Sequence, residues 1–531
     1  MDTKALRQKV LDLAIRGKLV PQDPNDEPAS VLLERIRQQK QQMVKEGKLK
    51  AKDIKNDTVI FVGEDNLHYE KFADGSVKCI EDEIPFDLPD GWAWCRVRDV
   101  ASVKGGKRIP KGMSFSPSKT AHAYIRVTDM KNHSVNTDDL KFISEDVFSQ
   151  IKSYTISKDD LYVTIAGTIG VTGEVPAELD GMNLTENAVK VTAIQINKTY
   201  LCMVLQSEFV QQQFQDKTHQ VAMPKLALER ILSTLIPICS MEIQSDIVSK
   251  FREMDSLINQ IENEKEVLAE VVSIAKAKIL DLAIRGQLVP QDPNDEPASA
   301  LLERIRAEKE KLIKAGKLKR DHKESVIFKG EDNSYYLNDG QTVVDISDDL
   351  PFDIPDSWCW TRLKDVFIIN PRNKLDDDLD VSFIPMPLID DGYRGKHTAE
   401  MRQWKEVKTG FTHFAEGDVG VAKITPCFEN RKSTVFENLS NGYGAGTTEL
   451  HVLRPFGSNI LTQYLLAYVK SDYFVENGKQ TFTGAVGQQR IGKEYVENAY
   501  FPIPPANEQK RIVQQISTVF EYLNMISESL S

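Results

Sequence analysis

Apolar residues recur at alternating steps of four and three through the middle of the chain. They are Ile247, Phe251, Met254, Ile258, Ile261, Leu268, Val272, Ala275, Ile279 and Leu282, with Lys265 as the one charged member. That alternation is a heptad seam, the pattern of a coiled coil. Glu, Asn, Lys and Gln fill the positions between, and Gly286 supplies a helix C-cap. The pattern predicts one helix of about 44 residues, or roughly 65 Å at 1.5 Å per residue. The average core helix has about 11–12 residues, so this one reads as a spacer. The same alternation closes the chain at Ile512, Ile516, Val519, Leu523, Ile526 and Leu530, and opens it at Leu6, Val10 and Leu13. Aligned on the central seam, Ser531 falls opposite Glu266 and Met1 opposite Glu270. The two ends therefore read as one second long helix, cut in the middle. The expected molecule is a pseudo-twofold ring with antiparallel long helices and termini within about 30 Å, half a helix length.

A long internal repeat supports that picture. Residues 11–37 read LDLAIRGKLVPQDPNDEPASVLLERIR, and residues 280–306 read LDLAIRGQLVPQDPNDEPASALLERIR. VIFVGEDN at 59–66 returns as VIFKGEDN at 326–333, and IPFDLPDGWAWCRVRDV at 84–100 as LPFDIPDSWCWTRLKDV at 350–366. The halves then diverge until Ile236-Pro-Ile and Phe501-Pro-Ile. A period this long is a domain duplication rather than a solenoid. A near-identical scaffold beside a divergent module suggests one kind of job done on two targets. In each scaffold a proline-rich turn leads to a charged helix starting near Pro28 or Pro297, and a small hairpin follows. The boundaries are 1–83 for an N-terminal helical segment, 84–240 for a first variable module, 241–349 for a central scaffold, 350–505 for a second module and 506–531 for a closing helix. The fold class is α+β, with two mixed α/β modules separated by the two long helices.

The modules hold most of the glycine, β-branched and aromatic residues. Ala123-Tyr-Ile-Arg-Val, Leu161-Tyr-Val-Thr-Ile, Ala188-Val-Lys-Val and Glu449-Leu-His-Val-Leu read as strands. Several loops suit phosphates or base edges. Lys104, Lys107, Arg108 and Lys111 surround a Gly pair, and Arg126 and Lys225 add charge. Thr168 lies in a Gly-flanked turn, and Asn183, Thr185 and Asn187 offer short amides and hydroxyls before a strand. The second module offers Arg372, Lys374, Lys423, Arg431, Lys432, Thr447, Gln488, Gln489 and Arg490. Arg and Gln match guanine and adenine edges bidentately. Each of these residues has a plain alternative as part of a solvated loop or turn.

Net charge is −12, which opposes nucleic-acid binding when taken as a whole. The acids, however, gather in linkers and scaffold, as at Asp23 to Glu27, Glu81 to Glu83 and Asp376 to Asp378. The six cysteines show no C-x-x-C pair, which argues against zinc or a disulfide framework and for a reducing cytoplasm. No apolar run is long enough to span a membrane and no signal peptide opens the chain. Neither a P-loop nor H-E-x-x-H nor G-x-S-x-G occurs, and the eight histidines do not cluster. The expectation is a chain with no catalytic residues, no metal and no cofactor of its own.

Two phrases carry a family resemblance. Each module opens with Leu88-Pro-Asp-Gly-Trp92 or Ile354-Pro-Asp-Ser-Trp358. The second closes with Phe501-Pro-Ile-Pro-Pro-Ala-Asn-Glu-Gln-Lys-Arg-Ile-Val513, while the first departs to Pro237-Ile-Cys-Ser-Met-Glu-Ile-Gln244. The chain resembles the specificity (S) subunit of type I restriction-modification systems over nearly its whole length. The resemblance implies two target recognition domains, each reading one half of a bipartite, asymmetric site in double-stranded DNA. It implies helices that set the spacer and dock two modification (methyltransferase) subunits carrying S-adenosylmethionine. Restriction (translocase/nuclease) subunits using ATP and Mg join them, so that the assembly is a DNA adenine methyltransferase and ATP-dependent endonuclease. The rival reading is a coiled-coil scaffold presenting two modules for non-DNA ligands.

Overall fold

The computed structural model describes residues 2–216, 225–320, 325–457, 459–485 and 487–530. The chain divides into two compact units, residues 1–264 and 265–531. The expected closeness of the termini rests on Met1 and Ser531, which lie outside the described residues.

The first unit opens with α1 (Thr3–Ile15), capped by the Asp2 carboxylate, which accepts from the Ala5 amide at 2.9 Å. Helix α2 (Ala29–Lys45) follows, with Pro28 at its N-cap. A three-stranded antiparallel sheet of β1 (Val59–Val62), β2 (His68–Lys71) and β3 (Val77–Cys79) comes next, one strand more than a hairpin. The long helix, α5 (Met241–Ile284), spans 44 residues and crosses into the second unit. Within the first unit Arg7 of α1 forks onto this helix, reaching Asp255 at 2.7 Å, Glu262 at 2.8 Å and Asn259 at 2.6 Å. Along α5, Ile247, Ile258 and Val272 are buried, and Phe251, Met254, Ile261, Leu268 and Ile279 are half-buried. The apolar residues off the seam, Leu257, Val267, Val271 and Ile274, are exposed.

The first module is built from strands β4 (Ala93–Arg96), β5 (Ala101–Gly105), β6 (His122–Ile125), β7 (Lys141–Ile143), β8 (Thr155–Ile156), β9 (Leu161–Thr164), β10 (Thr172–Glu174), β11 (Met182–Leu184), β12 (Ala188–Ala193) and β13 (Leu235–Ile238). Helices α3 (Lys198–Gln206) and α4 (Glu208–Asp216) precede β13. One sheet runs β10-β9-β12-β5 and a second β8-β11-β6-β7, while β4 pairs with β13. In the second sheet β6 and β11 are parallel, with Ile125 opposite Leu184. The central strand β9 is buried at every position, so its apolar run lacks the alternation of a half-exposed strand.

The second unit repeats this order. Helix α6 (Ala298–Lys314) precedes the small sheet β14 (Val326–Lys329), β15 (Tyr335–Asn338) and β16 (Val343–Asp345). The module contains β17 (Cys359–Arg362), β18 (Phe367–Ile369), β19 (Asp380–Ile384), β20 (Glu400–Gln403), β21 (Thr412–Ala415), β22 (Val419–Ala422), β23 (Ser433–Val435), β24 (Tyr443–Gly446), β25 (Leu450–Pro455) and β26 (Tyr500–Ile503). Helices α7 (Thr462–Val469) and α8 (Asp472–Gln480) precede β26, and α9 (Ala506–Leu530) closes the chain. Its sheets run β18-β25-β22-β23 and β20-β19-β24-β21, with β19 and β24 parallel and β17 paired to β26. Two modules of divergent sequence therefore share one strand order. On α9, Ile512 is buried and Ile516, Val519 and Leu523 are half-buried.

The repeated phrases act at the joint between scaffold and module. Gly17 has φ +64° and Gly286 φ +69°, conformations that favour glycine. A Cβ on Gly17 would lie 2.6 Å from Pro89 and 3.0 Å from Trp92; one on Gly286 would lie 2.5 Å from Pro355 and 3.1 Å from Trp358. The Leu-Pro-Asp-Gly-Trp phrase thus packs on the glycine that ends the preceding helix. Arg16 stacks over Phe86 at 4.2 Å, and Arg285 over Phe352 at 4.4 Å. The indole of Trp358 donates to Glu508 at 3.0 Å, whereas Trp92 donates to Gln22 at 2.7 Å. Ile243 occupies the position equivalent to Glu508, so the first module's departure from the closing phrase is met by Gln22. Gln244 and Gln509 play the same part, each bridging a carbonyl five residues back (2.9 and 3.1 Å) and a loop amide (2.8 and 3.0 Å). Gly17→Ala or Gly286→Ala is expected to destabilise its unit by about 1–3 kcal/mol through overpacking and the positive φ. Denaturant titration of the full chain reads this directly.

Candidate nucleic-acid interface

The same four chain segments meet in each module. In the first, the Gly106 amide donates to Ala188 O at 3.1 Å and the Lys107 amide to Leu184 O at 2.9 Å. The Ile165 amide donates to Asn187 O at 2.8 Å, and the Leu226 amide to Ile165 O at 2.9 Å. These bonds tie together the loop after β5, the loop after β9, the β11–β12 turn and the segment before β13. In the second module, the Asn370 amide donates to Val452 O at 2.7 Å, the Lys423 amide to Glu449 O at 3.0 Å and the Ile491 amide to Lys423 O at 3.0 Å. The equivalent four segments are joined, although almost none of their residues match.

Gly106 makes the first cluster possible. A Cβ there would lie 2.0 Å from Thr185 O and 2.4 Å from Leu184 O, both backbone atoms. Around it Lys104, Lys107, Arg108, Lys111, Thr168 and Lys225 are exposed, and Asn187 is half-buried. Lys107 Nζ sits 5.5 Å from the Tyr154 ring, and Lys225 Nζ lies 3.4 Å from Glu186 O. Arg108 pairs with Glu186 at 2.7 Å while its side chain stays 79% exposed. An ion pair this open is screened by water and only weakly held, so a phosphate can compete for the guanidinium. Burial raises the pKa of Glu186, and the Arg108 hydrogen bond reverses that, leaving the carboxyl below its ordinary value.

The second cluster is built alike. Arg490 is held bidentately by Glu449 (2.9 Å for each contact), and a guanidinium nitrogen reaches Gln488 O at 2.7 Å. The Gln489 amide donates to Thr425 Oγ1 at 3.1 Å, and Thr447 Oγ1 accepts from the Glu449 amide at 3.1 Å. A cleft of about 290 Å³ opens beside them, with Arg372, His413, Lys423 and Thr448 on its walls. Arg372 donates to Phe411 O at 3.0 Å, and Lys374 is exposed. Burial holds the His413 imidazole below its ordinary pKa. The neutral ring accepts the Asn373 amide at Nδ1 and donates from Nε2 to Lys408 O.

Four of the sequence-derived candidates are taken up by the fold. Asn183 lies in β11, fully buried, and donates to Ile151 O at 2.9 Å, so its amide has no path to a base edge. Arg126 is neutralised by Asp129 (2.6 Å) and also reaches Asp139. Arg431 is bound to Lys470 O and paired with Asp472. Lys432 donates to Ile389 O at 2.8 Å with little of its side chain exposed. These groups order loops. Glu186 and Glu449 were missed because acids oppose phosphate binding. The signal was a Thr-Glu pair just before the equivalent strands, Thr185-Glu186 and Thr448-Glu449.

Among the described residues no group of three or more His, Cys, Asp or Glu could hold a metal, and no helix is long and apolar enough to cross a membrane. The model of the type I restriction modification DNA specificity domain matches residues 89–271 and 355–530, more than half of the chain and one match in each half. The chain belongs to that family. Its matched segments each contain one module and reach into the long helices, so the family repeat coincides with the structural one. Among curated relatives, the type I restriction enzyme EcoAI specificity subunit of Escherichia coli is 45% identical over 252 residues, 47% of this chain and 40% of that protein. The EcoEI specificity subunit of the same organism is 46% identical over 241 residues, 45% and 37% of the two chains. The aligned part thus spans less than half the length of these relatives. A solved structure described under complex assembly and conformational transition of the type I R-M system aligns with TM-score 0.52 and 17% identity, covering 84% of this chain and 94% of that one. At that identity the likeness concerns the fold.

Proposed function

We propose that this chain is the DNA-specificity subunit of a type I restriction-modification complex. Each module reads one half of a bipartite, asymmetric site, and the long helices set the spacer. The observation that carries this reading is the repeated convergence of four segments at the same place on two modules whose loop sequences differ, with exposed cations on two of the four in the first module (Lys104, Lys107, Arg108 and Lys111 on one, Lys225 on another) and Arg372 and Lys374 exposed beside half-exposed Lys423 and Arg490 in the second. Equivalent geometry with different side chains suits two readers of different half-sites, because base-edge contacts specify while cations position. The chain itself performs no chemistry in this scheme. Two modification subunits bring S-adenosylmethionine, and restriction subunits bring ATP and Mg. With a net charge of −12, the chain relies on partners for part of its phosphate contacts.

The test is salt dependence. The parent complex should show a steep fall of log K with log salt on duplex DNA. Replacing Lys104, Lys107 and Lys225 by alanine should reduce that slope by roughly 2–3, about 0.9 for each phosphate no longer neutralised. An unchanged slope would remove these residues from the interface, and no salt dependence in the parent would favour a non-DNA ligand.

A further inference from the structure

Each four-segment junction holds a carboxylate among its cations, and phosphate neutralisation gives that acid no part. In the first module Glu186 accepts from Arg108 at 2.7 Å and from Thr185 Oγ1 at 3.2 Å. The Tyr124 hydroxyl, which donates to Lys107 O at 2.8 Å, lies 3.3 Å from the same carboxylate. In the second module both Glu449 oxygens accept from Arg490 at 2.9 Å. The two acids are alike in exposure, 24% and 26% of the side chain, so the fold orients each and leaves one side open to a ligand. The Arg490 hydrogen bonds hold the Glu449 carboxyl below its ordinary pKa, and both carboxyls stay ionised near neutral pH.

The two pairs are not inherited from a common register. The Ile165 amide donates to Asn187 O and the Lys423 amide to Glu449 O, so Glu449 stands where Asn187 does, one residue past Glu186. Arg108 comes from the loop after β5, whereas Arg490 comes from the segment before β26. Different backbone positions have thus produced a Glu–Arg pair at both junctions. A carboxylate on a phosphate-binding surface weakens binding to every DNA sequence alike, because like charges repel. What it adds is an acceptor, since Lys and Arg only donate hydrogen bonds. The amino groups of cytosine and adenine in the major groove are themselves donors, and an acceptor is needed to read them. Lys104, Lys107, Lys111 and Lys225, exposed around the Glu186 junction, cannot do this.

We infer that Glu186 and Glu449 are specificity-determining residues, each accepting a hydrogen bond from the amino group of one cytosine or adenine in its half-site and releasing its arginine to a phosphate. The inference rests on the DNA-reading function proposed above. On random duplex no amino group meets the carboxylate, so the pair stays closed and repels the backbone. On the cognate half-site the pair opens.

The experiment uses the full chain assembled with its modification subunits and breaks each pair from both sides. Glu186→Ala should relax one position in one half of the methylated motif, with methylation at disfavoured bases rising roughly tenfold. It should also bind random duplex more tightly, with a salt slope steeper by about 0.9 as Arg108 takes a phosphate. Arg108→Ala should keep the motif, bind random duplex several-fold more weakly and lower the slope on cognate duplex by about 0.9. Glu449→Ala and Arg490→Ala should repeat the contrast in the other half. A relaxed G·C position identifies cytosine as the base read, and a relaxed A·T position adenine. Melting curves that match the parent show that the variants fold. A glutamate variant that melts lower is replaced by Glu186→Gln or Glu449→Gln, which keeps the shape, loses the charge and should still bind random duplex more tightly. A pair that only orders its loop would respond alike to loss of either member, and that result would overturn the inference. So would retention of every motif position by both glutamate variants, with the functional proposal left standing. A parent complex with neither a split motif nor salt-dependent binding would overturn both.

Discussion

Arg96→Ala should destabilise the first unit by about 3–5 kcal/mol, the cost of leaving a buried carboxylate without its partner. The guanidinium is nearly buried and clamps Glu70 from two nitrogens, at 3.1 and 2.8 Å, with Glu83 at 2.8 Å and Ser233 O at 3.1 Å. It thereby fastens the small sheet to the first strand of the module and to the segment before the last. The second unit provides an internal control. Leu337 stands where Glu70 does, and Arg362 lies over the Tyr500 ring at 5.7 Å with no hydrogen-bond partner for its Nε among the described residues. Arg362→Ala should therefore cost about 1 kcal/mol, an ordinary loss for a point substitution. Calorimetry of the full chain should show the first variant shifting one transition strongly and the second shifting the other little. Equal losses would refute the clamp.

Gly106→Val should abolish reading by the first module and leave the second intact. The added Cβ meets two backbone carbonyls, 2.0 and 2.4 Å away, and neither can swing aside as a side chain would. The loop carrying Lys104 to Lys111 must lift off the β11–β12 turn, at a cost of about 1–3 kcal/mol. The larger effect is on function, because a recognition surface displaced by an ångström loses its hold on all the base edges together. With the modification subunits present, methylation at the full site should vanish. Binding to random duplex should fall far less, since most phosphates stay neutralised.

Most of the scaffold was legible in the sequence because its signals are periodic or repeated. The 4-3 spacing marks the 44-residue helix, and self-comparison pairs Gly17 with Gly286 and Trp92 with Trp358 without any coordinates. What these pairs do was not legible. That a proline and an indole sit on the helix-ending glycine is a contact between residues some 70 positions apart. The modules were legible only as strand-rich. Their common strand order hides behind divergent side chains, since a sheet needs buried apolar positions and not particular residues. The candidate surface was half-read. Exposed cations on Gly-rich loops could be named from composition, but Asn183 looks like a reader in sequence and is a buried loop anchor in space. Arg126, Arg431 and Lys432 fail for a related reason: their carboxylate and carbonyl partners depend on the fold.

The central claim is that this chain gives a DNA-modifying complex two independent half-site readers. Single-molecule methylome sequencing of the host, with and without this gene, tests it most directly. The account predicts one methylated motif that depends on the gene, split by a fixed unspecified spacer, with different sequences on the two sides. Exchanging residues 350–505 for another module should change one side only. A motif that is continuous or perfectly palindromic, or methylation unaffected by loss of the gene, would contradict it.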